Sequence, residues 1–163
     1  GDRVFSTATL KMGRGNSGKL VTEVKKAMLK AAPPCELAIV DGSPGIGCPV
    51  IASVNGMDLV LVVAEPSGSG ISDLKRLCAT AATLQVRLAV CVNKYDVSPQ
   101  HTECIETFCR QQGIAFVGKI PFDPMAVRAV NEGTTVVDID CPAGRAVREI
   151  FAKLTALLAE RSI

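Results

Sequence analysis

The sequence predicts an α/β fold, a doubly wound and mostly parallel sheet flanked by helices. Short apolar runs alternate with helix-like stretches along the chain, which is typical of strands joined by crossover helices. Runs such as LVLVV and LAVCV are apolar without alternation, as expected of strands covered on both faces. A length of 163 residues is usual for one domain, so we expect residues 1–163 to form a single nucleotide-binding-type α/β domain.

Strand composition occurs in six segments, residues 4–10, 36–41, 58–63, 87–92, 114–120 and 134–139. Between them, apolar residues recur at helical spacing in stretches that begin near Leu20, Ile71 and Val147. The loops after the strands are short and rich in Gly, Pro, Ser and Asp. Ligands of open α/β sheets bind at such loops, and we expect the functional site there.

Composition excludes several classes of protein. A net charge of +2 with 21% charged residues offers no electrostatic case for a nucleic-acid or membrane-surface partner. The sequence has no long apolar run and no signal-peptide pattern at its start, which predicts a cytoplasmic location. The seven cysteines form no C-x-x-C pair, so we expect reduced core thiols rather than disulfides or a self-contained metal site.

The segment DGSPGIGC at residues 41–48 directly follows the apolar run ELAIV. An aspartate at the carboxyl end of a strand can hold a Mg²⁺-bound water, and the glycines let backbone N–H groups approach a terminal phosphate. Asp, Pro and Gly are equally usual in an ordinary strand-to-helix turn. The spacing alone leaves both interpretations open.

The tetrad NKYD at residues 93–96 follows another buried run, VRLAVCV. In GTPases an N-K-x-D tetrad recognises guanine, because a carboxylate accepts hydrogen bonds from the ring and exocyclic N–H groups. The alternative is a polar turn that caps the next helix through Asp96 or Ser98. The later segment IPFDP at residues 120–124 either lies along a base or ribose, or stiffens a strand-to-helix connection.

Residues 13–19, GRGNSGK, match the phosphate-loop pattern G-x-x-x-x-G-K. The next residue is Leu20, where a working loop of that class has a Ser or Thr that ligates Mg²⁺. The segment therefore lacks the metal-binding version of the motif. It can still bind an anion at a helix N-terminus, or cap the helix through Asn16 or Ser17.

Taken in order, four stretches resemble MinD/ParA-type P-loop ATPases, particularly the branch with an inserted ferredoxin (4Fe-4S) domain. They are NSGKLVTEV, DGSPGIGCPVIAS, NKYD and IPFDP, and they span essentially the whole chain. The resemblance implies ATP and Mg²⁺ as ligands and a homodimer as the assembly. It also implies that ATP binding is coupled to dimer rearrangement and to an iron–sulfur or redox protein partner.

The resemblance also assigns roles at the phosphate end of the site. Asp41 is the catalytic candidate, a carboxylate that senses the terminal phosphate and binds Mg²⁺ through water, and Gly45 is a phosphate-facing backbone position. Cys48 matches a cluster-ligating cysteine of the related nitrogenase iron protein, so one Cys48 from each of two subunits would face a shared cluster. Four thiolates are the usual requirement, which favours a packed or lightly exposed Cys48 instead.

At the base end, the resemblance implies that Asn93 contacts adenine and that Asp96 is a weaker ligand. Pro121 and Asp123 would flank the base or ribose. The family uses ATP, so the tetrad by itself does not indicate guanine specificity.

Two family features are missing from the 163 residues, the K-G-G-x-G-K-[ST] loop and the four-cysteine runs of the ferredoxin insert that would hold 4Fe-4S clusters. We therefore expect either the carboxyl-terminal part of a longer ATPase or a degenerate copy, without ATP hydrolysis by this chain alone. Two other hypotheses remain: a scaffold or interaction module that has lost catalysis, and a GTPase relative that binds guanine through Asn93 and Asp96.

Overall fold

The computed structural model describes residues 5–7, 17–32, 37–42, 45 and 47–160. The chain divides into two compact units, Gly1–Met57 and Asp58–Ile163. The helices of the described residues are α1 (Ser17–Ala31), α2 (Cys48–Val54), α3 (Gly68–Thr83), α4 (Pro99–Gln112), α5 (Pro124–Asn131) and α6 (Pro142–Ala159). The strands are β1 (Val60–Ala64), β2 (Leu88–Asn93) and β3 (Ala115–Ile120), and single 3-10 turns lie at Tyr95–Val97 and Val136–Asp138.

The three strands form a parallel sheet in the order β1-β2-β3. Helix α3 connects β1 to β2 and α4 connects β2 to β3, as parallel neighbours require. Because all three strands run in the same direction, their carboxyl ends lie at one edge of the sheet. The loops of the second unit that carry the predicted motifs start at this edge.

Helices cover both faces of the central strand β2. Val90 and Val92 pack on one face with side chains of α3 and α4, including Leu74 and Ile105. Ala89 and Cys91 pack on the other face, where Ile150 of α6 covers them. The predicted doubly wound α/β architecture is confirmed, and two-sided burial explains why LAVCV does not alternate with polar residues.

A bulge in β3 brings α6 close to the sheet. Val90 pairs with Phe116 and the next residue of β2, Cys91, pairs with Gly118, so Val117 is the extra residue. Gly118 has φ 156°, and a Cβ placed there would lie 2.8 Å from Cγ1 of Ile150. The close approach of α6 therefore requires glycine at this position.

In the first unit, hydrogen bonds from a lysine of α1 hold α2 in place. Nζ of Lys25 donates to the carbonyls of Ala52, Ser53 and Asn55 at 3.1, 3.3 and 2.6 Å. These carbonyls lie at the end of α2, where helical partners are lacking and a cation is favourable. Partial burial lowers the pKa of Lys25.

Two strand predictions were wrong. Of the strand predicted at 36–41, the described residues 37–41 form no strand, and Leu37 and Ile39 are exposed. A strand needs a hydrogen-bonded neighbour, and this apolar run has none among the described residues. Residues 134–139 contain a 3-10 turn closed by Asp138, whose Oδ2 accepts from the hydroxyl and the N–H of Thr135 at 2.7 and 3.3 Å. That local hydrogen bonding competes with strand pairing. The segment predicted at 4–10 falls mostly outside the described residues.

Within the described residues, no helix combines the length and the apolar character needed to cross a bilayer.

Candidate functional site

The loops after β2 and β3 begin side by side at the carboxyl edge of the sheet. Asn93, the last residue of β2, pairs with Ile120, the last residue of β3. Pro121 directly follows Ile120, and the 3-10 turn that holds Asp96 directly follows Lys94. The register of two strands therefore brings together Asn93, Asp96 and Pro121, which lie 28 positions apart at most.

The Asn93 side chain is half-buried at this edge and makes no hydrogen bond to the described part of the chain. A primary amide presents an N–H donor and a carbonyl acceptor on the same carbon atom, so the two groups lie side by side. Such a group matches a flat ligand edge that also carries one donor and one acceptor.

Lys94 turns the chain away from β2. Its backbone is left-handed, with φ 53° and ψ 45°, and its Nζ donates to Oε1 of Glu65 at 2.9 Å. A lysine in this conformation costs on the order of 1 kcal/mol, which is typical of strain at a functional loop. The bond to Glu65 links the loop after β2 to the loop after β1.

The next residues are held from two sides. Oγ1 of Thr102, a buried side chain of α4, donates to the Tyr95 carbonyl at 2.9 Å. Nζ of Lys119 lies 5.5 Å from the centre of the Tyr95 ring, within the range of a cation–π contact. Oδ1 of Asp96 accepts the backbone N–H of Phe122 at 2.7 Å, which fastens the loop after β2 to the loop after β3.

Asp123 joins the starts of two helices. Its Oδ1 accepts the N–H of Met125 at 3.0 Å and caps α5, and its Oδ2 accepts the N–H of Ala143 at 3.1 Å in the first turn of α6. The backbone N–H of Ala143, followed by that of Met125, lowers the pKa of the Asp123 carboxyl. Both oxygens of this carboxylate are therefore engaged with the backbone.

The loop after β1 is closed by a cap. Oγ of Ser67 accepts the N–H of Gly70 at 3.0 Å and begins α3. A side chain at Gly70 would collide with the Glu65 carbonyl, so the turn from β1 into α3 requires glycine. This tight turn places Glu65 where it pairs with Lys94.

The predicted phosphate-end residues lie in the first unit. Asp41 is exposed, and its carboxylate makes no hydrogen bond to the described residues. Gly45 has φ 91°, a conformation that favours glycine. Of the segment at 13–19, residues 13–16 fall outside the described part of the chain, and α1 begins at Ser17.

Cys48 is the first residue of α2 and is exposed. The start of α1 lies against it, since a Cβ at Gly18 would be 3.2 Å from the Cys48 carbonyl oxygen. No group of three or more metal-ligating side chains occurs in the residues that the structure describes. Among the described residues, Cys48 is the exposed thiol at the start of α2.

Three contributors to the site were not predicted from the sequence. Glu65 and Thr102 lie in no motif that the sequence indicates, and Phe122 stands inside IPFDP without an assigned role. In the structure, Phe122 is notable as an exposed aromatic side chain and Thr102 as a buried hydroxyl. Thr102 is four residues from Ser98 in an otherwise amphipathic helix, and that pattern does not distinguish it from a surface threonine.

Comparisons with known proteins identify relatives of this chain. No family model matches the chain. A Methanocaldococcus jannaschii protein described as an uncharacterized ATP-binding protein is 33% identical over 126 residues, which cover 73% of this chain and 46% of the relative. The iron-sulfur cluster carrier protein of Pyrococcus furiosus is 30% identical over 158 residues, with 88% of this chain and 54% of the relative covered.

Solved structures give the same fold. The MinD cell division protein of Aquifex aeolicus aligns with a TM-score of 0.68 and 21% identity over 85% of this chain and 61% of its own. The cell division ATPase MinD of Pyrococcus furiosus aligns with a TM-score of 0.68 and 17% identity over 87% and 59%. Taken with the sequence relatives, the shared fold shows that the chain belongs to the MinD/ParA-type P-loop family.

This MinD/ParA-type chain spans about half the length of the curated relatives it matches. The family assignment confirms the resemblance identified in the sequence. The inserted ferredoxin domain of the predicted branch is untested and stays a prediction. The roles of Asp41, Gly45, Asn93 and the base-side residues likewise remain hypotheses about ligand contact.

Proposed function

We propose that this chain is the ATP-binding part of a MinD/ParA-type ATPase and that it holds the adenine base at the loops after β2 and β3. The observation that carries the proposal is the half-buried Asn93 amide, which has no hydrogen-bond partner among the described residues and lies beside Pro121 at the carboxyl edge of the sheet. The ATP-binding description of one relative supports the same ligand class.

The chemistry of the amide fits adenine. The Asn93 carbonyl would accept from the exocyclic amine, and its N–H would donate to a ring nitrogen of the base. The Pro121 ring would flank the base or ribose. Both oxygens of Asp123 accept backbone N–H groups, so this side chain would hold the loop in shape rather than bind the ligand directly.

At the phosphate end, we propose that Asp41 binds the Mg²⁺ of Mg–ATP through water and that the backbone N–H of Gly45 contacts the terminal phosphate. The exposed Asp41 carboxylate, without a hydrogen bond to the described residues, suits that role. Hydrolysis also needs donors that neutralise the β- and γ-phosphates. The K-G-G-x-G-K-[ST] loop is absent from the 163 residues, so we expect binding without turnover from this chain alone.

Calorimetry with ATP, ADP, GTP and GDP in the presence of Mg²⁺ tests the proposal. We expect adenine nucleotides to bind, and Asn93→Ala to weaken them roughly ten- to one-hundred-fold, as loss of a bidentate base contact does. Gln111→Ala, an exposed amide at the end of α4, is the matched control. Binding of guanine nucleotides alone would support the GTPase alternative, and absence of all binding would favour the scaffold.

A second measurement examines the phosphate end. Asp41→Asn should remove the Mg²⁺ dependence of ATP affinity while leaving the fold intact, since Asp41 is exposed. Asp73→Asn removes another exposed carboxylate, on α3, and should leave the Mg²⁺ dependence unchanged. Unaltered Mg²⁺ dependence in Asp41→Asn would refute its assigned role.

For the complete protein we propose a homodimer that couples ATP binding to rearrangement and to iron–sulfur or redox partner function in the cytoplasm. The description of the Pyrococcus relative as an iron-sulfur cluster carrier supports the iron–sulfur part. Cys48 is the candidate ligand because it matches the cluster-ligating cysteine of the related nitrogenase iron protein and is exposed. Two copies of Cys48 supply half of the four thiolates that a cluster usually takes, so these residues alone do not complete a site.

Iron and sulfide analysis of anaerobically purified protein tests that role. If Cys48 is a ligand, Cys48→Ser loses iron and alters the dimer fraction in analytical ultracentrifugation. Cys104→Ser replaces another exposed thiol, on α4, and should retain both properties. The cluster would be excluded if the wild-type protein contains no iron and Cys48→Ser leaves the dimer fraction unchanged.

A further inference from the structure

We propose that Asp96 is a positioning residue: it holds the two base-side loops together through Phe122, and this engagement biases the site against guanine. The inference rests on the proposed nucleotide function and adds a determinant of base specificity to it. Its basis is the 2.7 Å hydrogen bond from the Phe122 N–H to Oδ1 of Asp96, which connects residues 26 positions apart.

The bond uses the first backbone donor available after β3. Pro121 has no N–H, and Asp123 directs its own carboxylate to the starts of α5 and α6. Phe122 thus supplies the first backbone N–H of this loop, and Asp96 accepts it. A short bond from an N–H to a carboxylate is charge-assisted and stronger than a neutral one.

The residue before Asp96 is held independently of any ligand. The buried Thr102 hydroxyl donates to the Tyr95 carbonyl, and Lys119 lies over the Tyr95 ring while its Nζ pairs with Glu106 at 2.8 Å. With Tyr95 held by α4 and β3, the Asp96 carboxylate is presented to Phe122 by the folded chain. The contacts that set this geometry are all made by side chains and backbone of the chain itself.

In an N-K-x-D tetrad the carboxylate accepts both the ring N–H and the exocyclic amine of guanine. Here Oδ1 of Asp96 already accepts the Phe122 N–H, and that bond sets the orientation of the carboxylate plane, so guanine would have to share this oxygen in a fixed orientation. Adenine lacks the ring N–H and needs one donor with one acceptor, which the Asn93 amide supplies. The same four residue types that read guanine elsewhere would therefore favour adenine here.

Amide hydrogen exchange and nucleotide calorimetry on the full chain test the inference together. Asp96→Ala should accelerate exchange of the Phe122 amide and weaken ATP binding, each by roughly ten-fold or more, as expected for loss of a hydrogen bond to a charged group. Asp96→Asn keeps an acceptor for the Phe122 N–H, so its ATP affinity should stay within about three-fold of wild type. Glu103→Ala removes an exposed carboxylate of α4 as the control.

Two results would overturn the inference: unchanged Phe122 exchange in Asp96→Ala, or a selective loss of GTP binding in that variant with ATP affinity unaffected. If the wild-type chain binds no nucleotide, the proposed function fails and the guanine bias fails with it. The Phe122 exchange rate would still decide, separately, whether Asp96 positions the loop.

Discussion

The carboxylate of Asp123 accepts the backbone N–H of Ala143 at 3.1 Å, so the loop after β3 is fastened to the first turn of α6. The same carboxylate caps α5 through Met125. One side chain therefore sets the course of the chain on both sides of the 3-10 turn at Val136–Asp138. Helix α6 in turn covers the sheet through Ile150, which connects the loop geometry to the core.

Replacing Asp123 should lower stability in a pH-dependent way. Its folded-state pKa lies below the ordinary value of 3.8, so the stabilisation is fully present above that pH and is lost as the pH falls through the lowered pKa. Urea unfolding of Asp123→Asn should show a reduced midpoint at pH 7 and a shrinking difference from wild type below about pH 4. A difference that stays constant down to pH 2 would contradict the assignment; Asp73→Asn is the control.

Gly118→Ala should destabilise the second unit. The added methyl would lie 2.8 Å from Cγ1 of Ile150, and both sides of the contact are confined by the bulge and by α6. Overpacking of this kind costs about 1–3 kcal/mol, measurable as a shift of the unfolding midpoint. Gly68→Ala, at the start of α3 with no atom within 4 Å of the new Cβ, should be near neutral. Equal stabilities of the two variants would argue against the close approach of α6.

Thiol alkylation should separate the cysteines by location. Burial raises the pKa of Cys91 and of Cys109 to about 11, so neither offers an appreciable thiolate fraction near neutral pH. Cys48 and Cys104 are exposed and should react with iodoacetamide in the native protein, as peptide mass spectrometry would record. Denaturant should abolish the difference. Rapid native labelling of Cys91 would mean that α6 does not cover β2.

Thr102→Val should weaken the loop after β2. The substitution keeps the shape of the side chain but leaves the Tyr95 carbonyl without its 2.9 Å donor. We expect a loss of about 1–2 kcal/mol in unfolding free energy, together with faster hydrogen exchange in residues 95–97. Thr83→Val removes a hydroxyl that donates to the Ala79 carbonyl on the exposed side of α3. Its effect should be small, and an equal effect in both variants would show that Thr102 has no special role.

The sequence alone was enough to predict the parallel α/β architecture and the positions of β1, β2 and β3, because burial on both faces of a strand leaves a continuous apolar run. It also located the polar loops that follow those strands, including NKYD and IPFDP. Composition and spacing are local properties, and these features depend on little else.

Tertiary structure decided which residues contact one another within the chain. That Asp96 bonds to Phe122, that Asp123 reaches Ala143, and that a bulge admits Ile150 against Gly118 all depend on strand register and helix placement across 20 or more residues. The segments at 36–41 and 134–139 have the composition of strands, yet the first has no paired neighbour among the described residues and the second forms a 3-10 turn closed by Asp138. Propensity ranks the conformations of a segment, but the hydrogen bonds its neighbours supply select one of them.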